Sequence, residues 1–184
     1  MNTIHRLGRR RNSRRLAAVA VAGLLAAAAG FAGPSAVARP AAAPAGLAWG
    51  QTYAYANGLA VTVTPPAAFA PSDTSAGHRA GNQAVAWKIT VKNGTPDSFR
   101  TGLVSVYAKY GAAGEQAERV VDSAKGAGSD FEGSISPGRS ATVTYVFDVP
   151  KAGVGLLDLE VVPDAFAYEG THWSGPLGAK TGRQ

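Results

Sequence analysis

From Trp49 to Gly175 the apolar residues recur at every second position, and Gly, Pro and Asn interrupt them at short intervals. A period of two sends successive side chains to opposite faces of an extended chain, so the pattern predicts strands with one buried face. The plainest is Ala84–Lys92, where Val85, Trp87, Ile89 and Val91 alternate with Ala86, Lys88, Thr90 and Lys92. Asn93-Gly94-Thr95-Pro96 follows, a run suited to turns and unable to continue a sheet. Ser136-Pro137-Gly138 is expected to launch Ser140–Val149, with Val143, Tyr145, Phe147 and Val149 inward and Thr142, Thr144, Val146 and Asp148 outward. Leu157, Leu159 and Val161 alternate with Asp158, Glu160 and Val162.

Thr52–Ala56 meets Asn57-Gly58, a hairpin signal because both residues tolerate positive φ. Its return strand carries Leu59, Val61 and Val63 on one face. Leu103–Tyr110 repeats the alternation with Val104, Val106, Ala108 and Tyr110 inward. Glu115–Val121 is an expected exposed edge strand and Tyr168–Trp173 the expected last one. Pro71–Asn82 and Asp122–Glu132 read as long loops. No segment has the period of an amphipathic helix. The expected fold is therefore all-β, an antiparallel sandwich of about 7–9 strands.

Residues 1–38 follow a different pattern. Arg6, Arg9, Arg10, Arg11, Arg14 and Arg15 precede an apolar run, Leu16–Ala32, and Ala36-Val37-Ala38 supplies small residues at a cleavage position. Basic, then apolar, then small is the order of an export signal peptide. Ser13-Arg14-Arg15 raises the twin-arginine route, and a second small-residue site ends at Ala45. Residues 39–48, an Ala/Pro run, are expected to be a disordered linker. The sandwich takes 49–175, and 176–184 a flexible tail.

This division changes the meaning of the charge. The chain has a formal charge of +6, yet residues 1–38 hold six of its 18 Lys plus Arg and none of its 12 acids. Residues 39–184 are left formally neutral, without the basic footprint of a nucleic-acid binder. Nothing after Ala32 is apolar for the roughly 20 residues a membrane span takes. With no cysteine, the chain has no thiol nucleophile, thiolate metal site or lipid-attachment cysteine.

The candidate chemistry is sparse. His78 and His172 could ligate a metal with carboxylates such as Asp73 or Glu169, but no His-x-His or His-x-x-x-His spacing supports it. Ser129, Ser134, Ser136 and Ser174 are available to a histidine, and none sits in a Gly-x-Ser-x-Gly elbow. Asp158 with Glu160, and Glu115 with Glu118, are carboxylate pairs, expected to serve solubility. Asp122, Asp130 and Glu132 lack the alternation of a calcium loop. Asn93-Gly94-Thr95 matches a glycosylation pattern in what reads first as a turn. Trp49, Trp87 and Trp173 could form a sugar-stacking platform, although Trp87 falls among inward residues. No catalytic residue, metal site or cofactor is expected.

Taken in order, Gly50-Gln51-Thr52-Tyr53, the hairpin Asn57–Val63, Val85–Gly94, Ser136-Pro137-Gly138 and Val146–Pro150 resemble a known family. It is the immunoglobulin-like domain of unknown function of actinobacterial exported proteins and lipoproteins, related to the immunoprotective extracellular antigen of mycobacteria. The resemblance implies an immunoglobulin-like sandwich and export, and it brings no catalytic residues. Many relatives carry a lipobox cysteine that Leu24–Ala32 lacks, so release or wall association is expected in place of a lipid anchor. The expected function is a secreted, non-enzymatic binding module for an extracellular protein or wall component. Its alternatives are an extracellular hydrolase and a structural envelope component.

Overall fold

Among the described residues the chain forms twelve strands: β1 Thr52–Ala54, β2 Leu59–Val63, β3 Ala67–Phe69, β4 Gln83–Asn93, β5 Phe99–Arg100, β6 Ser105–Tyr110, β7 Glu115–Gln116, β8 Glu118–Val120, β9 Ser134–Ile135, β10 Ser140–Val149, β11 Leu157–Val162 and β12 Thr171–Gly175. All pair antiparallel. The structure is a computed structural model describing residues 46–178, all within one compact unit. The expected leader, residues 39–45 of the expected linker and residues 179–184 of the expected tail lie outside the described residues.

One sheet runs β1-β2-β4-β10-β8, with β3 also on β4, and the other runs β12-β11-β6-β7. The expected all-β sandwich is what forms. Ladder pairing places Trp87 opposite Tyr145 and Val85 opposite Phe147, so the inward rows of β4 and β10 coincide. Facing them, Leu157, Leu159, Val161 and Trp173 come from the second sheet, and all are buried. Trp49 and Phe147 each place a ring centroid 6.0 Å from that of Trp87. Truncating so enclosed a residue as Ile89 to Ala would cost about 2–5 kcal/mol, because the transfer loss is joined by a cavity.

Local chemistry sets the strand ends. Gly58 turns the β1–β2 hairpin at φ 97°, a conformation that strains residues with a Cβ. Pro65 and Pro66 interrupt the strand after Val63, and the chain re-joins β4 further along as β3. That strand, and the short β5–β9 pair, fall outside the expected set, since two or three residues give alternation nothing to register.

Several expectations are corrected. The edge strand Glu115–Val121 divides at Ala117: β7 pairs β6 and β8 pairs β10, so the chain changes sheets within it. Ala117, buried at the step, donates its amide to Ala108 O at 2.8 Å. The last strand begins at Thr171 instead of Tyr168, because the Ala167 and Tyr168 amides close a turn onto Asp164 O. Lastly, the expected linker is already in register at its end. Leu47 pairs parallel with Trp173, through its amide to His172 O at 2.8 Å and its carbonyl from Ser174 N at 2.9 Å. At the other terminus Leu177 donates to Val154 O and packs on the core, so the tail is tied there.

The outward face of β10 is not wholly wet. Val146 is buried with Ala84, Val120 and Ala127 in a small second core, and Asp148 is buried beside them.

Candidate functional site

The second sheet turns its polar rows outward. Strand pairing sets Lys109, Asp158 and Ser174 in one row across β6, β11 and β12, and Tyr107, Glu160 and His172 in the next. Alternation then leaves Ala108, Leu159 and Trp173 facing the core. Tyr107 is exposed and the other members of the two rows are half-buried. The groove beside them has a volume of about 660 Å³ and is walled by Leu47, Tyr110 and Leu156 as well as Asp158, His172 and Ser174. That size falls in the range of small-ligand sites.

His172 is held between two acids. Its Nδ1 lies 3.0 Å from Asp158 Oδ1 and its Nε2 3.8 Å from Glu160 Oε1, while Lys109 Nζ lies 3.8 Å from the other Glu160 oxygen. The groove thus gathers a histidine, an aspartate and a serine. In a serine hydrolase the nitrogen away from the acid must face the hydroxyl it deprotonates. Here that nitrogen faces Glu160, and Ser174 Oγ lies against Gly46.

His78 is elsewhere, at the β8 edge of the first sheet. Its Nδ1 lies 2.6 Å from Oδ1 of buried Asp148, whose Oδ2 accepts from Asn82 Nδ2 at 2.6 Å. Among the described residues neither proposed metal partner joins a histidine: Asp73 and Glu169 are exposed, and the Glu169 carbonyl accepts from Tyr55 OH. Among the described residues no group of three His, Cys, Asp or Glu side chains could hold a metal. The three acids weighed for calcium are dispersed. Asp122 is buried and accepts from Ser72 N, Ser72 Oγ and Lys125 N. Asp130 pairs with Arg119, and Glu132 is exposed. Of the remaining serines, Ser129, Ser134 and Ser136 are exposed and none bonds a histidine among the described residues. Glu115 is exposed in β7, and Glu118 pairs with Arg79.

The three tryptophans are core residues. Trp49, Trp87 and Trp173 are all buried, and Trp173 Nε1 donates to Gln51 O at 2.9 Å. No stacking platform is made from them. Asn93 is also buried: its amide donates to Asp97 O and Ile135 O, and its Oδ1 accepts from Thr95 N and Oγ1. A side chain so engaged has no room for a glycan. Sequence reasoning did not single out Tyr107 and Lys109. Their signal was the alternation of Leu103–Tyr110, which sends them outward opposite the outward residues of Leu157–Val162.

No family model matches the chain, and no curated protein matches it in sequence. Solved structures do. The YjhA protein of Bacillus subtilis superposes with a TM-score of 0.56 at 12% identity, over 69% of this chain and 97% of that one. The YcdA protein of the same organism gives 0.52 at 13% identity over 66% of this chain, which spans only 37% of YcdA's length. An uncharacterized β-sandwich protein of Clostridium difficile gives 0.43 at 13% identity, over 74% and 97% of the two chains. At such identities the likeness to YjhA and YcdA shows a shared fold and nothing of function.

Proposed function

We propose that the chain is an exported, non-enzymatic binding module of the actinobacterial immunoglobulin-like kind, released or held at the wall, that engages its partner with the outward face of β6, β11 and β12. One observation carries this reading. The outward face of the first sheet is partly closed by a second small core, whereas that of the second sheet presents an exposed tyrosine and mixed charges beside a groove. A surface of that composition, polar with one aromatic anchor, suits a partner met in water.

The test is a capture experiment on culture medium and wall extract with the exported protein and its Tyr107→Ala/His172→Ala variant. A partner held by the wild type and lost by the variant is the expected result. Capture by both places the contact elsewhere. Fractionation into medium, wall and membrane tests export directly, and recovery in the wall without any captured partner favours a structural envelope role.

A second reading, an extracellular hydrolase, draws on His172, Asp158 and Ser174 lining one groove. Covalent labelling of Ser174 by a fluorophosphonate would favour it over the binding reading.

A further inference from the structure

The edge of the first sheet at β8 is closed by two loops that are fastened to each other as well as to the sheet. Loop 71–82 runs beside the end of β8: Ala76 exchanges both backbone hydrogen bonds with Val121, the first residue after that strand, at 2.9 and 3.0 Å. Gly77, at φ 85°, lies so near the Arg119 carbonyl that a Cβ would strike it. Loop 121–128 folds back on itself through the Asp122–Ala127 bridge and buries Ala127 against Ala84, Val120 and Val146. Two buried carboxylates fasten the pair. Asp148, on β10, takes His78 and Asn82 from the first loop. Asp122, in the second loop, takes the amide and hydroxyl of Ser72 from the first. Lys125 Nζ also reaches Ala70 O at 2.5 Å.

We infer that loops 71–82 and 121–128 form one hinged strap that opens as a unit while the sandwich beneath stays folded. The physical ground is the size of what each part buries. The strap covers a core of only four buried residues, Ala84, Val120, Ala127 and Val146, with half-buried Phe69 and Ala86 packed against them, whereas the sandwich holds the tryptophans and the long aliphatic rows. Small apolar contacts with polar fastenings define a low-stability opening unit, distinct from a core that yields only on global unfolding. Opening the strap removes the cover from the backbone edge of β8. Such an edge is otherwise a template for pairing with another chain.

Asp148 holds the first loop and Asp122 joins the two, so loosening either carboxylate should loosen both loops. Amide exchange followed by mass spectrometry on the whole protein tests it. Asp148→Asn should accelerate exchange at least tenfold in both 71–82 and 121–128, and leave the central residues of β4, β10 and β11 unchanged. Ser72→Ala, which removes one fastening and leaves every charge in place, should accelerate the same two segments by a smaller factor. Acceleration confined to 71–82 in Asp148→Asn would overturn the single unit. So would acceleration spread through β11 and β12, which would mean that no separate opening exists.

Discussion

Arg119 lays its guanidinium over the ring of Tyr145, 4.1 Å from the centroid, and donates from its terminal nitrogens to Asp130 Oδ1 and Ser129 O, each at 3.1 Å. One side chain thereby closes the end of the sandwich beside β8 and fixes the chain that leads on to buried Phe131. Arg119→Ala should lower stability by about 1–2 kcal/mol, from a partly desolvated cation–π contact and two charge-assisted bonds. Urea unfolding at neutral pH checks it. Arg119→Lys should recover only part of the loss, since a lysine lacks the planar fork.

Tyr145 itself titrates late. Burial first, and then the neighbouring Asp130 charge, push its hydroxyl up to about 12, with Arg119 pulling the other way. The folded state prefers the neutral phenol, so its contribution to stability is whole below the ordinary value near 10 and is lost as pH rises through about 12. Ultraviolet titration should show one tyrosine ionising well after the exposed ones. Asp130→Asn should move that step to lower pH, and Arg119→Ala to higher pH.

Asp122 behaves in the opposite sense. The Ser72 amide, followed by the Ser72 hydroxyl and the Lys125 amide among its favourable partners, holds its carboxyl below the usual range. Its stabilisation is therefore complete above the ordinary value of about 3.9 and is lost as pH falls through the depressed folded value. Asp122→Asn should be less stable than wild type at neutral pH, and the gap should narrow as acid is added. Denaturant midpoints measured between neutrality and strong acid follow the difference.

Asn93 should resist both replacement and modification. Its four hydrogen bonds tie the end of β4 to Ile135 and to the Thr95–Asp97 turn. Asn93→Ala should cost about 2–4 kcal/mol, because it deprives the buried Ile135 carbonyl of its donor as well as losing the other bonds. Protein made through a glycosylating secretory pathway should carry no glycan at this position when folded, which intact mass measures.

The long strands were legible because each keeps its alternation for five residues or more. Leu59–Val63, Ala84–Lys92, Ser140–Val149 and Leu157–Val162 all stand where the pattern placed them, with the expected inward residues buried except Val143, which is half-buried. The candidate face was legible only in part. Alternation alone sends Asp158, Glu160 and Lys109 outward, but nothing local says that β11 lies between β6 and β12. His172 and Asp158 are 14 residues apart, and Lys109 and Glu160 meet only through pairing across the sheet.

By itself the sequence determined the class of fold, the inward residue of each long strand and the separation of a basic segment, residues 1–38, from a formally neutral remainder. All three are properties of composition and period, which neighbouring residues express without reference to the rest of the chain. Tertiary structure alone decided that Glu115–Val121 would change sheets, that Val146 and Asp148 would be buried on a face expected to be wet, and that His78 would find Asp148 70 residues away. The reason is physical. A strand's period assigns side chains to faces, but whether a face meets water depends on what distant segment packs over it, and that is settled by burial and hydrogen bonding across the whole fold.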